Sequence, residues 1–327
     1  MALRTNLEAG LLEAVDMSRR RTWGRRPLYI ALRLLRRSLP ERVAHRVLSR
    51  RYVTPELVYA ITKRYLKGIE SAGLTGDFAS HLQATALEAG TGVYNPGAAP
   101  FLLSGVSRLI LLEPFVGAAF DADLFRRRFD SILRIAQADP TYPLPKNVRK
   151  SVGKPSTSVW PQGIELSDRL WEDTGLPPGS VDCIFSCSVL EHLRDPDAAL
   201  DECARILRPG GWMINVIDMR DHFFRYPVEM LKYSERTWAW LTTRTGGSGY
   251  LNRWRLTHWL AALERRGLST HVVPEIVLDD EVKTELPCFD PEFRDLPFEH
   301  LRVLKAILVS RCMSAGAVQH PQERPAQ

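Results

Sequence analysis

From residue 84 onward the chain alternates short apolar runs, glycine turns and amphipathic stretches, and this alternation constrains its fold more than any other feature. Short apolar runs are typical of strands buried on both faces of a sheet, and amphipathic stretches are typical of the helices that cover it. We therefore predict an α/β fold with a doubly wound parallel sheet. The seven predicted strands span Ala84–Ala89, Arg108–Glu113, Gly163–Asp168, Val181–Ser186, Trp212–Asp218, Leu268–Ile276 and Leu301–Ser310.

Composition divides the chain into three regions. Residues 1–75 show helical periodicity, and the first 70 residues hold 16 lysines and arginines against 6 acidic residues, so we expect a basic N-terminal helical extension. Residues 76–312 form the predicted α/β domain, with an insertion at about 115–162 whose second half is a loop rich in proline, lysine and serine. Residues 313–327 are small and polar, which predicts a disordered tail.

Several classes of protein are not favoured by this composition. The longest apolar stretch, which begins at Phe101, is interrupted by serines and Arg108 and is shorter than the roughly 20 residues that cross a bilayer. The first 21 residues contain three acidic side chains and no apolar run typical of a secretory signal. The five cysteines include no CxxC pair, so we predict reduced thiols, no metal site and a cytoplasmic location.

A glycine turn follows the first predicted strand. It reads Leu87-Glu-Ala-Gly-Thr-Gly92, and its two glycines allow the backbone to turn tightly and to approach a ligand closely. About twenty residues later the second strand ends in Glu113, where a carboxylate can accept hydrogen bonds from both hydroxyls of a ribose. A dinucleotide site, or a tight turn without any ligand, would fit the same residues.

Two residues near this turn favour a different ligand from a dinucleotide. A dinucleotide fingerprint requires a third glycine where Asn95 stands. Glu88 precedes the first glycine by two residues, where its negative charge would repel a pyrophosphate and attract an ammonium group. The sequence thus favours a ligand that combines a ribose with a cationic amino-acid end.

A second, longer pattern lies about ninety residues further on. It reads Val181-Asp-Cys-Ile-Phe-Ser-Cys-Ser-Val-Leu-Glu-His192 and is followed, after a predicted helix, by Leu207-Arg-Pro-Gly-Gly211, in which proline ends the helix and the glycines make a tight turn. With these two patterns, the stretch from Ala84 to Asp218 resembles the class I S-adenosylmethionine-dependent methyltransferases of small-molecule type. The resemblance implies a Rossmann-like methyltransferase sheet and S-adenosylmethionine as the cofactor.

The resemblance also implies which residues contact the cofactor. Two glycines would lie under the methionine part, Glu113 at the ribose, and an acidic residue after the third strand, Asp168 or alternatively Glu172, at the adenine amino group. Residues at the end of the fourth strand would line the methyl-transfer end. The sequence departs from the family pattern at Val93-Tyr94-Asn95, which replaces the third glycine. The predicted cofactor-binding residues are Glu88, Gly90, Gly92, Glu113, Asp168, Ser186 and Cys187.

Methyl transfer by in-line displacement often requires a base that removes one proton from the acceptor. The fifth predicted strand ends in Asp218, and an Asp221-His222 pair follows it. We predict that His222 is the base and that Asp221, or alternatively Asp218, holds its imidazole, with Asp218 also a predicted substrate contact. Alternatively, these polar residues only cap the next helix. His192, at the end of the longer pattern, is expected to pack and hydrogen-bond rather than to catalyse.

Asn252 and Arg253 are the other predicted substrate contacts, because an amide and a guanidinium suit acceptors rich in hydroxyls or phosphates. Arg253 could instead form a surface salt bridge. The pairing of this segment with the Asp221-His222 loop resembles, more weakly, bacterial methyltransferases of envelope-glycan or secondary-metabolite assembly. Nearby tryptophans would form an acceptor pocket, a dimer surface or core; they are Trp238, Trp240, Trp254 and Trp259.

The acceptor is the open part of this interpretation. A natural product or a glycan- or lipid-linked intermediate is favoured, without a choice among oxygen, nitrogen and carbon as the methylated atom. A nucleic-acid methyltransferase is a rival that the sequence disfavours, because Ser186-Cys187-Ser188-Val189 lacks the Asn/Asp-Pro-Pro-aromatic turn that holds a base amine. A cofactor-binding protein without turnover is another. We expect the basic extension to act as a lid over the acceptor site, as a homo-oligomer contact or as a peripheral attachment to an anionic membrane.

Overall fold

The computed structural model describes residues 54–76, 85–90, 92, 94–114, 121–144, 163–224, 226–242 and 250–313. The chain divides into two compact units. The larger unit comprises the described residues of 53–219, 254–278 and 297–313, and the smaller one comprises those of 220–253 and 279–296. The extension before residue 54, the proline-rich loop at 145–162 and the tail after 313 lie outside the described residues.

The larger unit contains one seven-stranded sheet, which confirms the predicted doubly wound fold. The strand order is β3-β2-β1-β4-β5-β7-β6. β1 to β5 are parallel, and β7 runs antiparallel to both of its neighbours. The order reverses between β1 and β4, which is where ligands bind such sheets, at the carboxyl ends of the strands. The strands are β1 Thr85–Ala89, β2 Arg108–Leu112, β3 Ile164–Ser167, β4 Val181–Cys187, β5 Leu207–Asp218, β6 Leu268–Val277 and β7 Val303–Cys312.

Side-chain caps fix where the longer helices begin. The Thr54 hydroxyl accepts a hydrogen bond from the Leu57 amide, and Asp121 and Asp195 cap the next two helices in the same way. The helices of the larger unit are α1 Pro55–Ser71, α2 Ala122–Ala138, α3 Pro196–Ile206, α5 Leu256–Glu264 and α8 Phe298–Leu301, and those of the smaller unit are α4 Glu235–Thr242, α6 Asp279–Glu285 and α7 Pro291–Arg294. Short 3-10 helices span Ala99–Ser104, Leu190–His192, Glu229–Lys232 and Leu286–Cys288.

Helix α1 is part of the core of the larger unit, although it falls within the region predicted as an extension. Tyr65, Leu66 and Ile69 are buried in the same apolar cluster as the sheet. At Gly68 the helix approaches β7 so closely that a Cβ would lie 2.9 Å from Cγ2 of Ile307. The predicted boundary at residue 75 therefore falls inside the unit, and only the part before residue 54 stays a predicted extension.

The predicted insertion at 115–162 contains an ordinary element of the fold. Helix α2 connects β2 to β3 and buries Phe125, Phe129 and Leu133 in the apolar cluster that includes the sheet. These positions repeat at helical spacing, so the sequence did carry the signal. Residues 122–138 are a crossover helix of the doubly wound sheet and not an insertion.

The Leu-Arg-Pro-Gly-Gly unit is a strand with a bulge rather than a separate turn. Val181 pairs with Leu207 and Cys183 with Trp212, so the intervening residues bulge out of β5. A Cβ on Gly211 would lie 2.9 Å from the Asp182 carbonyl oxygen, which explains the glycine. The last strand also begins later than predicted, because residues 298–301 form helix α8.

The sequence did not predict the smaller unit. Its helices come from two segments that β6 separates along the chain. An aromatic cluster holds it together, in which the rings of Phe223 and Trp238 lie 5.8 Å apart and those of Phe224 and Tyr233 lie 5.4 Å apart.

Three further observations concern the described parts of both units. No helix there has the length and apolar character that a bilayer crossing requires. All five cysteines are free thiols. In the same residues no cluster of three or more histidine, cysteine or acidic side chains is placed to hold a metal ion.

Candidate functional site

The glycine turn after β1 adopts a backbone that side chains disfavour. Gly90 has a φ of 68° and Gly92 a φ of 91°. The Gly90 amide donates to the carbonyl of Leu112 at the end of β2, at 3.0 Å. A Cβ on Gly90 would lie only 2.6 Å from Cγ1 of Val189 in the loop after β4. Both the conformation and the close approach therefore require glycine at position 90.

Glu113 lies directly beside this turn. Its Oε1 accepts a hydrogen bond from the Gly92 amide at 2.6 Å, and its own amide donates to Ser167 at the end of β3. Partial burial raises the pKa of this carboxyl, and the bond from Gly92 counteracts part of that effect. The carboxylate thus lies at the carboxyl edge of β2 with oxygens that can accept hydroxyl protons.

Glu88 lies at the same edge but is almost completely buried. Its Oε1 accepts a hydrogen bond from the Tyr65 hydroxyl of α1 at 3.2 Å, and its Oε2 accepts one from the Ala98 amide at 2.9 Å. These contacts join α1 to the loop that follows the glycine turn. The predicted contact between Glu88 and an ammonium group stays a prediction, and in this conformation the side chain is only 1% exposed.

The loop that lacks the third glycine is closed by Arg128 of helix α2. Its Nε donates to the Tyr94 carbonyl and its Nη2 to Oδ1 of Asn95, each at 2.8 Å. The backbone N–H of Asn95 also donates to the Gly92 carbonyl at 2.7 Å. Sequence reasoning missed Arg128, because nothing in the run of three arginines in α2 distinguishes it from the two before it.

Residues at the end of β4 have three different environments. The Ser186 side chain is fully buried and donates to Oδ1 of Asn215 at 2.6 Å, so this hydroxyl links two strands and does not line an opening. Cys187 is half-buried, and burial raises the pKa of its thiol to about 11. Ser188 has a φ of 56°, a conformation that costs energy for a residue with a Cβ and that occurs often at functional sites.

The two candidates for the adenine contact both follow β3. Asp168 is exposed directly after the strand, whereas Glu172 is half-buried four residues later. Both are accessible to a ligand, so the choice between them stays a prediction.

A buried carboxyl joins the turn after β4 to the end of β5. Oε1 of Glu191 accepts a hydrogen bond from the Asp218 amide at 3.3 Å, and its Oε2 is buried without a hydrogen-bond partner. Burial, the largest effect, raises the pKa of Glu191 to about 8, and the negative charge of Asp218 contributes. Glu191 is therefore mainly protonated at pH 7.

Positive side chains surround Asp218, the predicted substrate contact. The Lys305 ammonium on β7 lies 4.0 Å from Oδ2 of Asp218 and 3.8 Å from Oε2 of Glu275. Arg255 is fully buried and donates to the Met219 carbonyl at 2.6 Å; burial lowers its pKa to about 10. The sequence did not point to Lys305, Glu275 or Arg255, since only strand pairing and the start of α5 bring them to this edge.

Asp221 and His222 belong to the smaller unit. Oδ1 of Asp221 accepts hydrogen bonds from the amides of Phe223 and Phe224, each at 2.7 Å, and so stabilises a local turn. The next 3-10 helix begins only at Glu229, so Asp221 does not cap it. Burial raises the pKa of Asp221 to about 7. His222 is half-buried. Their predicted catalytic roles stay predictions.

Arg253, the predicted acceptor contact, is buried within the smaller unit. It donates to the Tyr233 carbonyl and to Glu235, each at 2.5 Å, and its guanidinium lies 4.9 Å from the ring centre of Phe293. These contacts tie separate segments together, and the ion pair with the exposed Glu235 is the salt bridge that sequence analysis held as the alternative. A contact between Arg253 and the acceptor stays a prediction. Asn252 beside it is half-buried and stays a predicted contact.

The four tryptophans are divided between the two units. Trp238 and Trp259 are completely buried, in the smaller and the larger unit respectively, and Trp254 contacts Trp259 with ring centres 4.7 Å apart. Trp240 is 58% exposed. Core packing accounts for Trp238 and Trp259.

Comparisons with known proteins give one match by sequence family. Residues 116–215, which include β3, β4 and most of β5, match a family described as a methyltransferase domain. No curated protein matches the sequence.

Solved structures with a similar fold include an S-adenosylmethionine-dependent methyltransferase from Mesorhizobium loti, with 16% identity over 70% of this chain and 91% of that chain and a TM-score of 0.39. The YcgJ protein of Bacillus subtilis has 16% identity, with coverage of 75% and 98% and a TM-score of 0.40. Geranyl diphosphate C-methyltransferase from Streptomyces coelicolor has 14% identity, with coverage of 74% and 77% and a TM-score of 0.38.

The residues at the carboxyl edge of the sheet fit S-adenosylmethionine. Glycine at position 90 leaves a turn without side-chain bulk, and the Glu113 carboxylate beside it suits a ribose. The family match covers the following strands of the same sheet. Residues 116–215 of this chain are therefore similar to a methyltransferase domain, and the glycine turn and Glu113 beside it suit S-adenosylmethionine as the cofactor.

Proposed function

We propose that this protein methylates a small-molecule acceptor, namely a natural product or a glycan- or lipid-linked intermediate. The observation that carries the proposal is the hydrogen bond between Glu113 and the Gly92 amide, which places a carboxylate against a side-chain-free turn where the strand order reverses. S-adenosylmethionine, when bound, supplies a methyl group on a positively charged sulfur. The glycine turn and Glu113 orient the cofactor, with its ribose at the carboxylate.

The loop after β4 supports a small acceptor rather than a nucleobase. Residues 186–189 contain no aromatic side chain and no Pro-Pro turn to hold a planar amine. Ser186 is buried, so the accessible side chains at this strand end are those of Cys187 and Ser188. The weaker resemblance to envelope-glycan and secondary-metabolite enzymes favours the proposed acceptor class.

Within the larger unit, the best-placed candidate for a proton acceptor is Asp218. It lies at the carboxyl end of β5, and the Glu191 carboxyl fixes its main chain. The Lys305 ammonium balances its negative charge. We keep His222 as the alternative base. Asp218→Asn would abolish turnover if Asp218 is the base, whereas His222→Ala would do so if the imidazole is, and neither change should alter cofactor affinity by more than about twofold.

The reaction is tested with cell extracts and methyl-labelled S-adenosylmethionine. Mass spectrometry should find a labelled small molecule that appears with the wild-type protein and not with Gly90→Ala. Labelled nucleic acid would instead support the rival acceptor class. If the cofactor binds but no extract yields a labelled product, the protein binds the cofactor without turnover and the proposal is wrong.

The basic residues before position 54 are proposed to form a lid, a homo-oligomer contact or a contact with an anionic membrane. Pelleting with phosphatidylserine vesicles, compared with phosphatidylcholine vesicles, tests the membrane role. The shortened control must begin at Thr54 and not after residue 75, because α1 is part of the core. Equal pelleting of the full and shortened chains would exclude the membrane role.

A further inference from the structure

Helix α1 contacts the loop that follows the glycine turn directly at two points and, at a third, through Glu88 of β1. The Thr62 hydroxyl donates to the Gly97 carbonyl at 2.6 Å. A Cβ on Gly97 would lie 2.7 Å from Cγ2 of Ile61, so the loop and the helix touch closely. The Tyr65 hydroxyl donates to Glu88, whose other oxygen accepts the Ala98 amide. A helix that precedes β1 in the chain thus sets the position of this loop.

Tyr65 is held rigidly for this contact. Its side chain is completely buried, and its ring centre lies 4.9 Å from that of Phe185 on β4 and 6.5 Å from that of Phe101. Burial and the neighbouring Glu88 carboxylate raise the pKa of Tyr65, so the phenol stays protonated and can donate a hydrogen bond to Glu88. The ring packing therefore holds the Tyr65 hydroxyl where it can donate to Glu88.

We propose that Tyr65 is a positioning residue for the amino-acid end of the cofactor, acting through Glu88 and the 94–98 loop. The inference rests on the proposed function, in which the methionine part lies against the glycine turn. Glu88 precedes the turn and the 94–98 loop follows it, so a shift of either moves the main chain at that end. Glu113, which is expected to hold the ribose, is hydrogen-bonded to Gly92 and not to this group. Tyr65 should therefore affect one end of the ligand only.

Tyr59 on the same helix offers a matched control. Its hydroxyl also donates to a carboxylate, Asp139, at 2.9 Å, and its side chain is also buried. Asp139 caps the carboxyl end of helix α2, eleven residues beyond Arg128, the residue of this helix that holds the loop. Tyr59→Phe therefore removes an equivalent bond between α1 and the rest of the unit without touching the loop.

The test is calorimetric titration of the full chain with two ligands. S-adenosylhomocysteine has the amino-acid end, whereas 5′-methylthioadenosine keeps the adenosine and the thioether but lacks that end. Tyr65→Phe should lower the affinity for S-adenosylhomocysteine about three- to tenfold, as expected for one lost hydrogen bond. Its affinity for methylthioadenosine should stay within about twofold of the wild-type value. Thr62→Val, which removes the bond to Gly97, should show the same selectivity. Tyr59→Phe should change neither affinity.

Two results would overturn the inference while leaving the proposed function intact. One is an equal loss of affinity for both ligands in Tyr65→Phe and Thr62→Val, which would mean a general structural role. The other is that both variants bind both ligands as tightly as the wild type does. If the wild-type protein binds neither ligand, the proposed function itself fails, and the inference fails with it.

Discussion

Oε1 of Glu191 lies 3.3 Å from the Asp218 amide nitrogen, and this contact ties the 3-10 helix after β4 to the last residue of β5. The second oxygen of Glu191 is buried and has no hydrogen-bond partner. An ionised carboxylate would be costly there, whereas a protonated one is tolerated. The two strand ends that border the candidate methyl-transfer site are therefore joined by a neutral carboxyl group.

Glu191→Gln should remove a pH dependence of stability. The folded protein holds the Glu191 proton up to a pKa of about 8, whereas the unfolded chain releases it near 4.5. Folding therefore binds a proton between these values, and the free energy of unfolding should fall as the pH rises through this window, by at most about 1.4 kcal/mol per pH unit. Urea unfolding at pH 5, 6, 7 and 8 should give a flatter profile for Glu191→Gln. Parallel profiles for the two proteins would contradict a raised pKa.

Glu202 should show the opposite dependence. Its carboxylate accepts hydrogen bonds from Thr174 and Arg205, and the bond from Arg205 is the main reason that its pKa is lowered to about 2. The stabilisation is complete above about pH 4.5 and is lost as the pH falls towards 2. Glu202→Gln should cost about 1–2 kcal/mol at pH 7 and progressively less below pH 4, measured by urea unfolding. A constant cost across this range would show that Glu202 stabilises by packing alone.

Gly90→Ala should abolish cofactor binding, and Gly73→Ala serves as its control. Both glycines have a positive φ, of 68° and 72°, so each alanine costs about 1–2 kcal/mol of conformational energy. A Cβ at Gly73 meets nothing within 4 Å, whereas one at Gly90 meets Val189 at 2.6 Å. Thermal unfolding should show a loss of stability in both variants, but only Gly90→Ala should lose affinity for S-adenosylhomocysteine. Normal binding by Gly90→Ala would remove the turn from the cofactor site.

Arg253→Lys should destabilise the smaller unit. A lysine ammonium cannot reproduce the separate contacts of the guanidinium with Tyr233 and Glu235, and we expect a loss of about 2 kcal/mol. Limited proteolysis should then cut residues 220–253 or 279–296 first. Arg265→Lys, at a 60% exposed salt bridge with Asp197, should change stability by less than about 0.5 kcal/mol. Unchanged proteolysis of Arg253→Lys would contradict this structural role and would favour the predicted contact between Arg253 and the acceptor.

The sequence predicted the sheet well because most strands, such as β1, β2, β4 and β7, contain apolar runs that are recognisable from local composition. It failed where distant segments decide the outcome. Helical periodicity places helix α1 in the predicted extension, whereas its contacts with distant strands, such as Gly68 against Ile307 and Tyr65 against Phe185, place it in the core. The smaller unit was missed because β6 separates its two segments.

The candidate site was predicted only where one residue and its immediate neighbours determine the geometry. The glycines at 90 and 92 are read directly from the sequence, since their positive φ follows from the turn. Arg128, by contrast, reaches Asn95 across 33 positions in the chain, and no local pattern indicates which arginine of α2 does so. The resemblance assigns Ser186 to the cofactor and residue type assigns Arg253 to the acceptor, but neither indicates that both side chains are buried and hydrogen-bonded within the protein.

The most direct test of the account is calorimetric titration of S-adenosylhomocysteine into the wild-type protein and Glu113→Gln. Glu113 is expected to accept the ribose hydroxyls while it also holds the Gly92 amide, and an amide can accept through only one oxygen. The account predicts one site per chain in the wild type and an affinity at least about tenfold weaker in Glu113→Gln, with its fold intact by circular dichroism. Absence of binding by the wild type, or equal affinity of the two proteins, would contradict it.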